Sequence, residues 1–458
     1  MTSWALIAAC AVVLVLPLAW RARQGRFDPF EPIVLFALAW GAMFVVRPTA
    51  MLVRDERWFW GLDVQPTLPR ALLLAGLGAT AFVLGYELLP ARRVAGRLPT
   101  PRPIDDSVAV TAALVTCLVA LVALAFFLPA NAFEALRVLL GGRSAELGEA
   151  LSRTSNYVVN ASLLFAPAAL VMTALALRRR SPLLIAAAVL VVFLALVRVL
   201  PAGGRFVLLP LLGGIFVLVY VMREKRPRVA VLAVIGVLAF AGSYFTLQFR
   251  DPTDDRTLET TVEELADRPH AIFDPVVSSA DAEMVLALSA ALTVIPDELQ
   301  HRWGGATVGN LATRPVPREL WSGKPRPPGE TVIATIWPQH YPALNLAFSP
   351  LLGLYWDFGL LGVAVGMALF GFLGRLLYEW FAIHRRDFVA QVVFAAGVWF
   401  VVIAARNDPV DTLVLAAFLL APVIGIVAVA SEGVLPARIR TLSKDARRPP
   451  TRQTRETS

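Results

Sequence analysis

Long apolar runs dominate this chain, and they restrict it to one class of fold. A helix needs about 20 apolar residues to cross a ~30 Å hydrocarbon core, where its backbone must satisfy its own hydrogen bonds. Hydrophobic residues make up 57% of the chain and charged residues only 17%, whereas soluble domains are about one quarter charged. We therefore predict an all-α, polytopic membrane protein with about eleven transmembrane helices. The predicted spans are 2–20, 30–46, 69–89, 107–129, 157–177, 182–200, 205–222, 229–247, 358–381, 388–405 and 411–430.

The runs divide the chain into four parts. Residues 1–249 are predicted to form an N-terminal membrane bundle of about eight spans. Residues 250–345 form one large outer-face loop with short helices, because they hold no run long enough to cross the membrane. Residues 346–430 supply about three C-terminal spans. The tail 431–458 is rich in Arg, Pro and Thr, a composition typical of a disordered segment near acidic lipid.

The cations between the runs predict an orientation. Five loops, which follow the first, third, fifth, seventh and ninth runs, hold sixteen Lys and Arg residues. Because short cation-rich loops stay in the cytoplasm, we expect the N-terminus outside and the C-terminus inside. The sixteen cations are Arg21, Arg23, Arg26, Arg92, Arg93, Arg97, Arg102, Arg178, Arg179, Arg180, Arg223, Lys225, Arg226, Arg228, Arg385 and Arg386.

Several classes of chemistry are disfavoured by the sequence. The two cysteines, Cys10 and Cys117, lie in apolar runs and cannot make a disulfide framework or a thiolate metal site. The chain has no Walker A loop, no dinucleotide-binding glycine turn and no HExxH motif, and its four histidines are scattered. We therefore expect no cofactor and no metal. The net charge of +8 lies mostly in loops between spans, so nucleic acid is not an expected partner.

Charge inside a membrane span is a sign of function, because a charged side chain in lipid is costly. The apolar runs hold almost no charge, which disfavours an ion-coupled transporter. We expect Arg198, at the end of the sixth run, to extend to lipid headgroups. Arg205 follows two glycines where the seventh run meets the outer surface, and it is a functional candidate. Asp357 begins the ninth run on that same face, and Asp408 is expected to cap the eleventh helix.

The stretch Arg314–Glu330, RPVPRELWSGKPRPPGE, stands out within the large loop. Its five prolines fix φ and remove backbone donors, so it should be a rigid and irregular loop. Its Arg and Lys side chains suit the capture of an anion. Equally, they suit a structural loop whose cations meet lipid phosphates. Arg314 and Arg326 are expected to face solvent.

Two other loop segments have the pattern of amphipathic helices. The outer loop 130–156 has apolar residues at helical spacing together with Arg137, Arg143 and Arg153. It should lie along the membrane surface. Residues 280–294 alternate apolar and polar positions but are too short for a further span.

Three stretches together resemble a known family. These are a tight turn leading into GGRFVLL at 203–209, VPRELWSGKP at 316–325, and SPLLGLYWDFG at 349–359. With many outer-face spans and one late large loop, they are similar to bacterial O-antigen and oligosaccharide repeat-unit polymerases of the Wzy type. The match covers about residues 190–380, and the first half of the chain matches in architecture only.

The resemblance implies a metal-independent glycosyltransferase of the C-type architecture in the cytoplasmic (inner) membrane. Its substrates would be undecaprenyl-diphosphate-linked oligosaccharides, joined on the outer face into a surface polysaccharide. Its expected partners are the lipid bilayer, a chain-length regulator and a flippase. Two related or competing functions stay open: an O-antigen-ligase-like glycan transferase, and a transporter or flippase of lipid-linked sugars. A non-catalytic scaffold for envelope assembly is a third.

The same resemblance assigns roles to individual residues. Each candidate is expected to contact the diphosphate or the sugars, or to accept the proton of the attacking hydroxyl group. Arg205 and Arg318 would meet the diphosphate, and His340 or Glu330 would act as the base. The substrate-binding candidates are Lys324, Trp321, Arg143 and Asp357.

Overall fold

The fold, taken from a computed structural model, is almost entirely helical in the part of the chain that it describes. Its only sheet there pairs two short antiparallel strands, Trp58–Phe59 (β1) and Leu62–Asp63 (β2). The described residues are 2–126, 156–199, 205–228, 230–232, 234–237, 265, 267–268, 283–316, 320–321, 323–341 and 346–431.

Nine helices in the described residues are long and apolar enough to cross a membrane, so the chain is an all-α, multi-pass membrane protein. They are α1 (Thr2–Arg23), α2 (Pro32–Val53), α3 (Leu68–Leu88), α5 (Asp106–Ala125), α6 (Tyr157–Arg179), α7 (Pro182–Val199), α12 (Pro350–Ile383), α13 (Phe388–Arg406) and α14 (Pro409–Ala430).

Shorter helices complete the described fold. They are α4 (Ala91–Ala95), α8 (Leu209–Met222, preceded by the helical turn Arg205–Leu208), α9 (Met284–Ala291), α10 (a π turn Gly305–Gly309 followed by Asn310–Thr313) and α11 (Pro328–Ile336). Every predicted run except the eighth coincides with a helix. The eighth, 229–247, lies largely outside the described residues, so the count of eleven stays a prediction.

The centre of the bundle is the contact between α3 and α12. A Cβ placed on Gly85 would lie 1.9 Å from the carbonyl oxygen of Ala368, and one on Gly371 would lie 2.0 Å from that of Phe82. Small residues let two helix backbones approach closely in a membrane, where dispersion contacts take the place of the hydrophobic effect. The two glycines therefore set the distance between α3 and α12.

The first part of α12 is not a continuation of the span but folds back along it. Leu351 and Met367 both contact the Cβ position of Gly78, and the Leu354 side chain contacts that of Gly366. In a straight helix, residues 16 apart would be ~24 Å apart. The segment before Phe358 and the segment that follows Gly359 must therefore run antiparallel. We call residues 350–367 the hairpin. Because Gly78 is midway along α3, the hairpin reaches the middle of the bundle.

Helix α9 is also part of the bundle core. All eight of its residues are buried, and it packs against α2, α3 and α12. The helix was predicted, but the amphipathic character was not correct, since no face of α9 is left for solvent. The described part of the large loop is thus packed into the membrane bundle at Met284–Ala291.

The five cation-rich loops meet at one end of the bundle, which we call the ionic end. The guanidinium of Arg226 donates to the carbonyl oxygen of Phe27, and Arg386 pairs with Glu224 at 3.4 Å. Asp106, at the end of the loop that follows α3, pairs with Arg178 and Arg179 at the end of α6. The opposite end carries β1, β2, α9, α10 and the turn between α13 and α14, and we call it the loop end.

A buried ionic network closes the ionic end. Glu31, only 3% exposed, accepts hydrogen bonds from Arg21 Nε (3.0 Å), Tyr86 OH (2.9 Å) and Arg375 (3.1 Å). Arg375 also pairs with Glu379 at 2.5 Å. The expectation of almost no charge in the spans is therefore wrong here, because opposite charges one helical turn apart on α12 satisfy each other.

Arg198 is a second correction. It is buried rather than extended to lipid headgroups. Its Nε donates to Ser162 Oγ at 2.6 Å, and its terminal nitrogen lies 3.4 Å from the Val159 carbonyl oxygen. A short 3-10 turn, Ser162–Leu164, interrupts α6 at this point, and it frees backbone and hydroxyl groups that accept the guanidinium.

The glycine contact of α3 and α12 gives a first prediction. Gly85→Ala should destabilise the protein by about 1–3 kcal/mol, because the added methyl group would overlap a backbone oxygen that cannot rotate away. Thermal unfolding of the purified protein in detergent, followed by circular dichroism, measures the effect. Gly76→Ala on the same helix is the matched control, since no atom lies within 4 Å of its Cβ position. Equal stability of the two variants would contradict the assigned contact.

Candidate functional site

The site at the loop end is built around a break in α12. Phe358–Gly359 leave helical geometry, and the glycine has φ 60° and ψ −143°, a conformation essentially restricted to glycine. The break leaves the last carbonyl groups of the hairpin's first helix without helical partners. Trp356 O accepts the backbone N–H of Arg302 at 3.1 Å, and Asp357 O accepts that of Trp303 at 3.2 Å. The large loop is thereby tied to the tip of the hairpin.

The side chain of Asp357 makes a second tie to the loop. Its Oδ1 accepts the N–H of Ala306 at 2.7 Å, and its Oδ2 accepts the N–H of Thr307 at 2.8 Å and the Thr307 hydroxyl. Carboxylates suit the first turn of a helix because its N–H groups lack helical partners. Asp357 is fully buried. The residue predicted to bind substrate therefore holds α10 in place here, and direct contact with a sugar would require α10 to detach.

Lys324 secures the other end of α10. Its Nζ donates to the carbonyl oxygens of Val316 at 2.8 Å and Arg314 at 3.2 Å, and Tyr157 OH also donates to Arg314 O. The Arg314 side chain pairs with Asp411 at 2.7 Å, so the expectation that it faces solvent is wrong. Lys324 thus lies in the proline-rich loop as predicted, but the structure uses its ammonium group to close that loop.

The two predicted bases, Glu330 and His340, have different surroundings. Glu330 Oε2 is 3.5 Å from Tyr341 OH, and His340 is exposed, with its ring centre 6.0 Å from that of Trp60. Arg326 is exposed as expected, and its guanidinium stacks over the Tyr341 ring at 4.7 Å. Of the two, His340 is the more accessible to a ligand at the surface.

The remaining predicted residues are only partly visible. Trp321 is 40% exposed, as a sugar-stacking role requires. Arg205 begins the helical turn before α8, but its side chain lies outside the description. Arg143 and Arg318 lie outside the described residues altogether. Their predicted roles stay predictions.

Asp408 occupies an unusual position at the loop end. Its Oδ1 accepts the N–H of Val410 at 2.8 Å, which confirms the predicted cap of the last helix. Its Oδ2 is shielded from solvent and has no hydrogen-bond partner among the described residues. That oxygen lies 2.7 Å from the Cβ position of Gly353 in the hairpin, so only a glycine leaves room for it.

The surroundings of Asp408 favour its protonated form. Burial raises the pKa of the carboxyl group to about 7, and the nearby carboxylates Asp411 and Asp357 act in the same direction. The N–H of Val410 and the guanidinium of Arg314 oppose this rise in pKa. An unpartnered carboxylate oxygen in a shielded place is costly, so Asp408 keeps its proton to a higher pH than an exposed aspartate does.

Comparisons with protein-family models, curated proteins and solved structures gave no match. The site therefore has to be interpreted from its own geometry. Sequence analysis did not find the unpartnered oxygen of Asp408, nor the surface at the hairpin tip formed by Arg70, His301 and Arg302. No local motif marks these residues, because they meet only when the hairpin folds back.

The titration of Asp408 gives a second prediction. Its folded-state pKa is about 7 and its ordinary value is 3.8. As pH rises from about 4 to 7, the unfolded chain releases this proton while the folded chain retains it, so stability falls through this window and then levels off. Asp408→Asn imitates the protonated form and keeps the cap. Its Tm should equal that of the wild type near pH 4 and exceed it increasingly up to pH 7.

Thermal unfolding in detergent across pH 4–8 measures this difference. Asp387→Asn is the matched control, because Asp387 caps α13 by accepting the N–H of Ala390 at 3.0 Å and thus reports the replacement of a capping Asp alone. A Tm difference at Asp408 that does not depend on pH would refute the assignment.

Proposed function

We propose that this chain is a membrane glycosyltransferase that polymerises undecaprenyl-diphosphate-linked oligosaccharide repeat units on the outer face of the cytoplasmic membrane. The observation that carries the proposal is the assembly at the loop end. There the proline-rich stretch is closed by Lys324, and α10 is held on the hairpin by Asp357. An ordered surface on one side of the membrane suits a reaction that takes place on that side.

The proposed reaction transfers one glycan to another. A hydroxyl oxygen of the acceptor glycan attacks the anomeric carbon of the donor, the bond from that carbon to the diphosphate oxygen breaks, and undecaprenyl diphosphate leaves. The hydroxyl proton passes to His340 or Glu330. Arg205 and Arg318 would stabilise the charge that develops on the departing diphosphate. Trp321 would contact the acceptor, with the sugar face stacked on the indole, and Lys324 would hold the loop that carries Trp321.

The distribution of charge favours catalysis at the loop end over transport. A transporter needs groups that face a path through the bundle. The buried charges at the ionic end instead pair with one another around Glu31, so they are occupied within the protein. The described residues at the loop end carry the exposed His340 and Trp321. A glycan ligase would use the same features, so polymerase and ligase have to be distinguished by the glycan that each produces.

Deletion of the gene gives the third prediction. A strain that lacks the polymerase should make glycan with a single repeat unit and accumulate the lipid-linked unit, as seen on polysaccharide gels and by mass spectrometry of lipid extracts. Loss of a ligase would instead leave long chains on the lipid carrier. Loss of a flippase would leave the units on the inner leaflet. Long chains of normal length and location in the deletion strain would exclude the proposal.

Complementation of that strain tests the residues and the scaffold alternative. Arg205→Lys and Arg318→Lys keep the charge but lose the planar, bidentate guanidinium. At least one should restore no polymer although immunoblots of the membrane fraction show the protein at wild-type level. Arg54→Lys is the matched control, because Arg54 is an exposed arginine in the loop beside β1. A scaffold would tolerate all three substitutions.

A further inference from the structure

Three neighbouring basic side chains at the hairpin tip have no acidic partner among the described residues. Other arginines at the loop end are paired, as Arg47 is with Glu56 and Arg57 is with Asp63. In the described part of the chain, Arg70, His301 and Arg302 form no ion pair, although they lie together at the hairpin tip. We call these three residues the cation cluster. Arg70 and Arg302 are both cations, and like charges on one small surface repel each other; a bound anion would remove that repulsion.

The hairpin holds Arg302 in a fixed position. Its guanidinium lies 4.9 Å from the centre of the Trp356 ring, and Trp356 is itself buried and donates its indole N–H to Gln300 O at 2.9 Å. Stacking on an aromatic face orients the guanidinium plane and leaves its edge donors available. An arginine held in this way suits bidentate binding of phosphate.

His301 is fixed beside it with one nitrogen available. Its Nδ1 lies 3.1 Å from the Trp356 carbonyl oxygen and must donate to it, since that oxygen can only accept. Its Nε2 makes no hydrogen bond in the described part of the chain and faces the side of Gly359 that carries no side chain. The glycine that breaks α12 thus also leaves space next to the imidazole.

Arg70 reaches the same surface from α3. It lies in the first turn of that helix, and its guanidinium is 3.5 Å from Tyr355 OH. The Tyr355 ring in turn contacts the His301 ring at 5.8 Å. A cation at a helix N-terminus is unfavourable, because the N–H groups there already carry positive partial charge. This placement opposes helix stability and favours an anion bound at the same point.

Apolar surface directly adjoins the cation cluster. The Trp303 side chain is 78% exposed, and its ring contacts that of Phe358. Phe358 and Leu361 are exposed at the start of the spanning part of α12. Exposed aromatic rings beside apolar residues are typical of the membrane–water interface. This pattern is the one expected of a surface at the depth of lipid headgroups.

We propose that the cation cluster is a binding site for the phosphate groups of a lipid-linked diphosphate, with the lipid chain beside Phe358 and Leu361. Arg302 and Arg70 bind the phosphate oxygens from two sides, and His301 Nε2 contacts a third oxygen. The lipid-borne ligand rests on the proposed function, whereas the binding of phosphate oxygens follows from the cluster alone. This site is separate from Arg318 and Lys324 in the sequence, and it supplies one of the two lipid-linked substrates with its own contact.

Equilibrium binding tests the site. The full chain in nanodiscs of neutral phosphatidylcholine is titrated with a short polyprenyl diphosphate and, separately, with inorganic pyrophosphate. The wild type should bind the polyprenyl diphosphate more tightly, because the chain adds apolar contact. The double variant Arg70→Gln, Arg302→Gln should weaken binding at least tenfold, since each lost charged hydrogen bond is worth more than a factor of ten in affinity.

The matched control is the double variant Arg54→Gln, Arg57→Gln, which removes the same charge from the loop end but from arginines that are paired with Glu56 and Asp63. It should bind as the wild type does. The phosphate site is overturned if the Arg70/Arg302 variant binds with wild-type affinity, or if the control variant loses as much affinity as the Arg70/Arg302 variant does. Equal affinity of the wild type for the polyprenyl diphosphate and for pyrophosphate overturns the claim that the ligand is carried by a lipid.

Failure of this inference is distinguishable from failure of the proposed function. Normal binding by the Arg70/Arg302 variant, together with single-repeat glycan in the deletion strain, overturns the cation cluster and supports the polymerase. Long glycan chains in the deletion strain, together with tenfold weaker binding by that variant, exclude the polymerase and support the phosphate site.

Discussion

The break at Phe358–Gly359 is the constraint on which the loop end depends. In a bundle surrounded by lipid, a carbonyl group that loses its helical partner must find another within the protein. The carbonyl groups freed by the break are satisfied by the N–H groups of Arg302 and Trp303. The position of the loop therefore follows from backbone hydrogen bonding, and the side chains of residues 301–303 are placed by it. Substituting the glycine would affect the hairpin and the cation cluster together.

The membrane spans are the part of the fold that sequence predicts well. Hydropathy depends on length and composition alone, and both are set by the hydrocarbon thickness. Hydropathy is less informative where a buried ion pair lies within a span. Arg375 and Glu379 lie one turn apart on α12 and pair at 2.5 Å, yet in an averaged window their hydrophobic neighbours conceal them. Helix α9 shows the same limit, since its burial depends on partners distant in the sequence.

For the candidate site, the sequence indicated which residues lie at the loop end but not which groups they contact. Asp357 and Lys324 do lie at the loop end, and both contact the loop that contains α10. Their partners are backbone groups. The Asp357 contacts depend on the fold-back of the hairpin, and the Lys324 contacts depend on the path of the proline-rich loop; no spacing in the sequence specifies either. Asp408 was identified as a cap, and its second oxygen became notable only because Gly353 lies against it. Motifs locate residues, whereas tertiary contacts decide which of their atoms are occupied.

The two ends of the bundle use charge in opposite ways, and this contrast bears on function. At the ionic end Glu31 accepts three donors and the buried cations are neutralised within the protein. At the loop end, Arg70 and Arg302 have no counterion among the described residues, and they lie with His301 at a surface bordered by exposed aromatic rings. Desolvating an unpaired cation is costly, and pairing it within the fold is the usual remedy. Arg70 and Arg302 are not paired in this way with any described residue, and this set remains available to an external anion. Because that set lies beside lipid-facing residues, an anion carried by a lipid can meet it without leaving the membrane.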